Sequence, residues 1–411
     1  MAGIGFNLEK ILEGDTYIDS VKAHFYSTII AAGPWLLSIL TLFALSMFTP
    51  RNIDLYELSF FRTAIIYIYA FSLIIVGFLQ LTVTRYAADK LYTRENESFV
   101  PAFAASAALV LVVQSAVVFA FLKLAGVGET AGWLIGMNYI VISMIWLVMI
   151  FLTALRDYRA ISIAYATGSI IAVAGSLGLG SAYGVTGYFA GYLVGHLVIV
   201  VLLSARIYIE FPSTQPFDPG VYAYLGKHKT LLLVGFFYNL AIWIDKIVFW
   251  LSPHSVAIAP FLRSFPAYES ASFFAYLTVV PALSIFLVRV ETDFYRKYRR
   301  YYNTILARGS YADIVQARRE MGESLRRSAG VVVKYQGLIS LAAITFAPEI
   351  AALFNMPWMN LPIFRVVVLG AFLQTLLLII LTIGLYFDFQ GLALAISAVF
   401  LATNGVFTFL T

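Results

Sequence analysis

Apolar residues in this chain come in long uninterrupted blocks separated by short polar punctuation, and they do not alternate as barrel strands would. Blocks at 25–48, 61–86, 99–123, 131–155, 159–179 and 183–208 are each long enough as a helix to cross a ~30 Å hydrocarbon layer. Five more follow at 229–252, 265–288, 331–353, 363–387 and 390–410. Between the sixth and seventh blocks runs EFPSTQPFDPGVYAYLGKHK, rich in proline and aromatic residues, which suits an interfacial linker better than a span. The pattern predicts an all-α polytopic membrane protein with an N-terminal six-helix bundle at 1–208, a linker at 209–228 and a C-terminal bundle at 229–411. The second bundle is one helix short, and because the sequence stops directly after apolar FTFL, a twelfth span is expected to be missing from this form.

Composition removes several other classes. With 61% hydrophobic and 12% charged residues, the chain has more apolar side chain than one globular core buries. The absence of cysteine excludes a disulfide framework, a thiol nucleophile and a thiolate zinc site. His24, His196, His228 and His254 are far apart and lack metal-ligand spacing, so no metal or other cofactor is expected. The acidic residues Glu9, Glu13, Asp15 and Asp19 precede the first apolar block, which argues against a cleaved signal peptide and keeps that block as a span.

Charge placement tests the span map independently. With the amino terminus inside, the alternate loops on that side hold 21 of the 27 basic residues, eleven of them between Arg289 and Lys334. The other side holds five, and Lys246 falls within a span. The expected location is therefore the bacterial inner membrane, multi-pass, with the amino terminus and the 289–334 segment cytoplasmic.

Three local patterns stand out. Gly33-Pro34 in the first span removes a backbone donor and bends the helix, either as plain packing or where freed carbonyls line a cavity. Gly187, Gly191 and Gly195 clear one face of the sixth span for close backbone approach, a structural role. The 289–334 segment reads as helix, turn at Arg308-Gly309-Ser310, helix. In it Arg296, Lys297, Arg299 and Arg300 are interleaved with tyrosines, Tyr298 among them, beside the membrane. That position favours anionic lipid or a partner protein over nucleic acid.

The opening MAGIGF, the Gly33-Pro34-Trp35 turn and the string VRVETDFY at 288–295, followed by a tyrosine-rich basic helix, resemble the PelG family. These are inner-membrane transporters of Pel exopolysaccharide systems within the multidrug/oligosaccharidyl-lipid/polysaccharide flippase (MOP) superfamily. The resemblance implies a V-shaped pair of six-helix bundles that exports an amino-sugar polymer. It also implies partnership with a cytoplasmic, PelF-like glycosyltransferase and small inner-membrane Pel subunits. The competing readings are an ion-coupled exporter of small cationic compounds and a membrane scaffold of the synthase. A membrane enzyme would need clustered His, Asp or Glu at one depth, and the sequence offers none, so no catalytic residue is assigned.

Asp245 and Lys246 interrupt the seventh span, where a central charge costs ~3 kcal/mol. Helical neighbours point ~100° apart, so the two are not expected to pair, and Glu269 is the nearest acidic candidate to neutralise Lys246. The translocation path is expected to include Asp245, Glu269, Lys246, Tyr238, Asn239, Trp243, Gly33 and Pro34. Asp245 and Glu269 would form an acidic wall, with Tyr238 and Trp243 offering aromatic faces. The plainer alternative has Lys246 snorkel outward and Asp245 serve as a buried structural partner of some basic residue.

Overall fold

A computed structural model of the chain describes residues 37–49, 54–124, 126, 128–155, 158–354 and 356–410. Gly33 and Pro34 lie outside the described residues. Helices dominate: α1 (Leu37–Phe48), α2 (Leu55–Tyr92), α3 (Phe99–Leu124), α4 (Glu129–Leu155), α5 (Tyr158–Glu210), α6 (Gly220–Lys227) and α7 (Lys229–Leu251). There follow α8 (Pro266–Leu277), α9 (Val280–Arg289), α10 (Tyr295–Leu306), α11 (Tyr311–Thr345), α12 (Ala347–Leu353), α13 (Leu361–Tyr386) and α14 (Gln390–Leu410). Large apolar side chains such as Ile170, Val201 and Phe409 are 69%, 62% and 79% exposed on these helices. Such faces need lipid as their solvent, and the chain is a multi-pass membrane protein.

The fifth and sixth predicted spans form the single element α5, whose 53 residues would reach ~80 Å if straight. They do not run straight. Gly184 has φ 61° and ψ −143°, a conformation that only glycine adopts without strain, and the chain reverses there. The two limbs then pack antiparallel through glycine. A Cβ on Gly191 would lie 2.1 Å from the backbone carbon of Gly175, and one on Gly195 2.4 Å from Ala172 Cβ. Ser176 Oγ donates to Tyr188 O across the same seam at 3.0 Å. The glycine spacing thus has the structural role assigned to it.

Two features depart from the span map. The block at 265–288 is broken into α8 and α9, and the block at 331–353 is split at Phe346, just before Pro348. The loop after α7 is no plain turn but a two-stranded antiparallel hairpin, β1 (Val256–Ala259) and β2 (Leu262–Ser264), with a register shift between Ala257 and Ala259. Tyr56 Oη donates to Ile258 O at 2.7 Å and Tyr67 Oη to Arg263 O at 2.9 Å, which fastens the hairpin to α2.

The described residues group into two compact units. The larger takes residues from 37 to 265 and from 384 to 410, so α7 packs on α2 and on α14 within it. Its core includes Phe61, Tyr188, Phe189 and Tyr192, whose rings meet at 5.0–5.7 Å. The smaller unit runs from Pro266 to Ile383 and carries the helical hairpin α10–α11. That hairpin turns at Arg308, with φ 55°, and Ser310 caps α11 by accepting from the Asp313 amide, at the turn read from sequence.

Candidate functional site

Helix α7 carries most of the residues assigned to the path, and all of those belong to the larger unit. Glycines set its position against α2. A Cβ on Gly235 would lie 2.2 Å from Gly77 O, and one on Gly77 would lie 2.6 Å from Asn239 Nδ2. Asn239 is buried in this contact, and its amide donates to Gln80 Oε1 at 3.1 Å and to Gly235 O at 2.8 Å. On another face, Asn404 of α14 donates to Ala241 O at 2.8 Å, and Tyr238 meets Phe400 at 6.1 Å between ring centroids.

One helical turn beyond Ala241, Asp245 is 2% exposed. Lys246 Nζ lies 2.9 Å from its Oδ2 and 5.5 Å from the Trp243 ring centroid. The expectation that these neighbours would not pair is therefore corrected. Their Cβ atoms diverge, but the four-carbon lysine stem lets the ammonium swing back, and in a low-dielectric span Coulomb attraction far exceeds its value in water. Pairing also reduces the insertion penalty, since a coupled ion pair presents less net charge to hydrocarbon than two isolated ions. Trp243 Nε1 is buried without a hydrogen-bond partner among the described residues, and the ring offers the ammonium a cation–π surface. Glu269 lies in the first turn of α8, in the smaller unit.

The basic cluster of the smaller unit sorts into different roles. Arg300 reaches Glu320 of α11 at 2.7 Å and Lys297 reaches the same carboxylate at 3.7 Å, so these two hold the hairpin closed. Tyr298 packs at a tilt between the rings of Phe294 (6.0 Å) and Tyr302 (4.7 Å). Arg296 and Arg299 are exposed and line a cleft between α10 and α11.

Sequence reasoning missed a sealed polar cluster in the larger unit. His196 is 3% exposed; its Nδ1 donates to Tyr192 O at 2.9 Å, which leaves Nε2 to accept from Tyr69 Oη at 3.1 Å. Tyr192 Oη lies 3.2 Å from Tyr69 Oη, and Trp146 donates to Ser72 on the same stretch of α2. The signal was there: a lone histidine within an apolar span. It was read only for metal spacing. Among the described residues no group of three or more His, Asp or Glu is placed to hold a metal ion.

Comparison with known proteins fits this architecture. No curated protein sequence matches the chain. Among solved structures it is similar to an outward-facing multidrug resistance MATE family transporter of the MOP superfamily, with TM-score 0.60, 13% identity, and 100% of this chain and 97% of that one covered. It is also similar to a variant of the Vibrio cholerae MATE transporter VcmN, with TM-score 0.61, 13% identity, and 99% and 88% covered. A third similar structure is a MOP superfamily transporter from Pyrococcus furiosus, with TM-score 0.55, 13% identity, and 100% and 88% covered. These likenesses show a MOP-type transporter fold. A family model described as "PelG: Putative exopolysaccharide Exporter (EPS-E)" matches residues 1–411, and the chain belongs to that family of membrane transporters.

Proposed function

We propose that this protein moves an amino-sugar exopolysaccharide of Pel type across the bacterial inner membrane, with its amino terminus cytoplasmic, and that it performs no catalysis itself. The observation that carries the reading is the ion pair between buried Asp245 and half-buried Lys246 within α7, in a chain whose whole length matches an exopolysaccharide exporter family. Charges inside a span are expensive and usually mark a transport route. In this reading Asp245 and Glu269 supply acidic character for a neutral or partly cationic glycan, and Tyr238 and Trp243 supply ring faces of the kind that stack on sugars. Asn239 holds α7 to α2 beside that route. The division into bundles at 1–208 and 229–411 belongs to the same proposal, as do a glycosyltransferase and small membrane subunits docking at the α10–α11 hairpin.

The second reading is export of small cationic compounds, favoured by the multidrug transporters that share the fold. Uptake and efflux assays with cationic dyes separate the two. The polymer reading predicts no dye efflux above background from cells expressing the protein alone. It also predicts polymer secretion that depends on the intact α7 pair; dye efflux with normal secretion from pair-less variants selects the second reading.

A further inference from the structure

The cleft between α10 and α11 has a volume of about 650 Å³, which falls within the ~300–1,000 Å³ of small-molecule sites. Its wall carries Arg296, Arg299 and Arg300, with Tyr295, Asn303 and Gln316 alongside. Arg300 is committed to Glu320, whereas Arg299 makes no ion pair among the described residues. Arg296 and Arg299 are three residues apart on one helix, where like charges repel, and an anion bound between them would offset that repulsion. Asp313 is the one carboxylate in the lining, and Ser310 engages it: Ser310 Oγ donates to Asp313 Oδ2 at 2.6 Å and accepts from the Asp313 amide at 3.2 Å. The floor is tight because Gly309 packs on Thr304, where a Cβ would come within 2.7 Å of Cγ2. The result is a concave surface with excess positive charge, two guanidinium forks, and amide and hydroxyl groups around them.

We infer that this cleft binds a soluble, phosphate-bearing ligand of nucleotide size, held chiefly by Arg296 and Arg299. Guanidinium forks match phosphate oxygens in bidentate geometry, and the volume exceeds what a single small anion fills. A lipid headgroup offers the same chemistry, but the position argues against it. The near end of the cleft, at Arg296, follows the span-ending Arg289 by seven residues, about 10 Å of rise, and the far end, at Gln316, precedes Lys334 by 18 residues, about 27 Å, whereas a headgroup layer is only ~6 Å deep. The inference does not depend on the transport reading, because binding is measured on isolated protein.

The test is equilibrium binding of inorganic pyrophosphate and of ADP to the purified full-length protein in phosphatidylcholine nanodiscs at ~0.15 M salt, where charge effects fade within ~8 Å. Saturable binding of at least one probe is expected, with Kd raised about tenfold or more by Arg299→Gln and by Arg296→Gln. Arg299→Lys keeps the charge and loses the fork, so its Kd should fall between. Arg319→Gln, on exposed α11 outside the cleft and paired with Glu323, should bind as the parent does. An unchanged thermal midpoint identifies the variants as folded. The inference is overturned by no binding of either probe at ~1 mM, or by binding that folded Arg296 and Arg299 variants leave unaltered. Enriching the nanodiscs in phosphatidylglycerol should leave Kd unchanged. A rise of about tenfold there would show headgroups occupying the cleft and overturn the soluble-ligand assignment.

Discussion

Arg85 and Asp388, 303 residues apart in sequence, form a two-pronged ion pair: Nη1 to Oδ1 at 2.5 Å and Nη2 to Oδ2 at 3.2 Å. The pair ties α2, in the first six spans, to the turn that leads into α14, where Asp388 takes a φ of 57°. The Arg85 hydrogen bond holds the Asp388 carboxyl below the usual carboxylate range. A depressed carboxyl pKa contributes stability above its unfolded value near ~4 and loses it as pH falls through the folded value. With side chains 33% and 56% exposed, the pair is worth at most ~1 kcal/mol. Asp388→Asn is therefore expected to lower the thermal midpoint by only ~2 °C at pH 7, with the difference fading at high salt and below about pH 4. A difference that stays undiminished as the pH is taken down through the folded-state value of the Asp388 carboxyl would mean that the turn geometry, not the charge, is what the substitution disturbs.

The glycine seam of α5 gives a sharper stability test. A methyl on Gly191 would fall 2.1 Å from Gly175 C and Ser176 N, atoms of backbone that cannot yield cheaply, whereas Gly178 faces open space. Gly191→Ala should destabilise by ~3 kcal/mol through separation of the two limbs, and Gly178→Ala by less than ~1 kcal/mol. Folded yield in detergent and its thermal midpoint report both. Equal yields from the two variants would remove the seam from the account of how the limbs are held.

Topology is open to labelling, since the chain has no native cysteine. Ser255 is a poor probe position, because it is 9% exposed and its oxygen serves Arg263 Nε at 2.6 Å. Its neighbour His254 is exposed, as is Tyr311 at the tip of the α10–α11 hairpin. Single cysteines at His254 and Tyr311 should react with an impermeant maleimide from opposite sides of the membrane, Tyr311→Cys from the cytoplasmic side. Labelling of both from one face contradicts the orientation read from the basic residues.

Much of this fold was legible because lipid imposes a simple rule: backbone groups must be satisfied within a helix, so apolar length alone marks most spans. The α5 reversal was legible as a break between the blocks ending at 179 and starting at 183, next to Gly184, and its packing as glycines four apart. What escaped were features that depend on partners distant in sequence. The β1–β2 hairpin has an apolar, proline-containing sequence with no turn signature, and it is fixed by Tyr56 and Tyr67, some 200 residues earlier. The Asp245–Lys246 pair was misjudged because helical-wheel reasoning follows Cβ directions and ignores the reach of a lysine stem. The Arg85–Asp388 pair joins two residues that sequence reading had placed only in loops or at span ends.

The hairpin's docking role separates from its internal ties. Replacing Arg296, Lys297, Arg299 and Arg300 together by Gln removes both links to Glu320 as well as the cleft arginines. Membrane insertion should survive, since each exposed pair contributes ~1 kcal/mol or less, while co-purification of a cytoplasmic glycosyltransferase should fall several-fold. Glu320→Gln alone releases the links but keeps the cations, and partner recovery should stay near the parental level. Full recovery of partner by the quadruple variant would end the docking proposal.

The central claim concerns passage of polymer along α7. Asp245→Asn alone leaves the half-buried Lys246 beside a neutral amide within the span, which costs up to ~3 kcal/mol and lowers protein level for structural reasons. The informative variant is Asp245→Asn with Lys246→Met, which removes both charges at similar volume and should accumulate normally; Glu269→Gln is tested beside it. The measurement is co-reconstitution of the protein with its glycosyltransferase and sugar nucleotide in sealed vesicles, followed by quantifying polymer protected in the lumen. The parental protein should deliver polymer to the far side, and the charge-free variant and Glu269→Gln should each cut delivery about tenfold or more at equal protein. Polymer delivery at the parental rate by both variants would contradict the placement of the path along α7 and leave its charged pair a structural one.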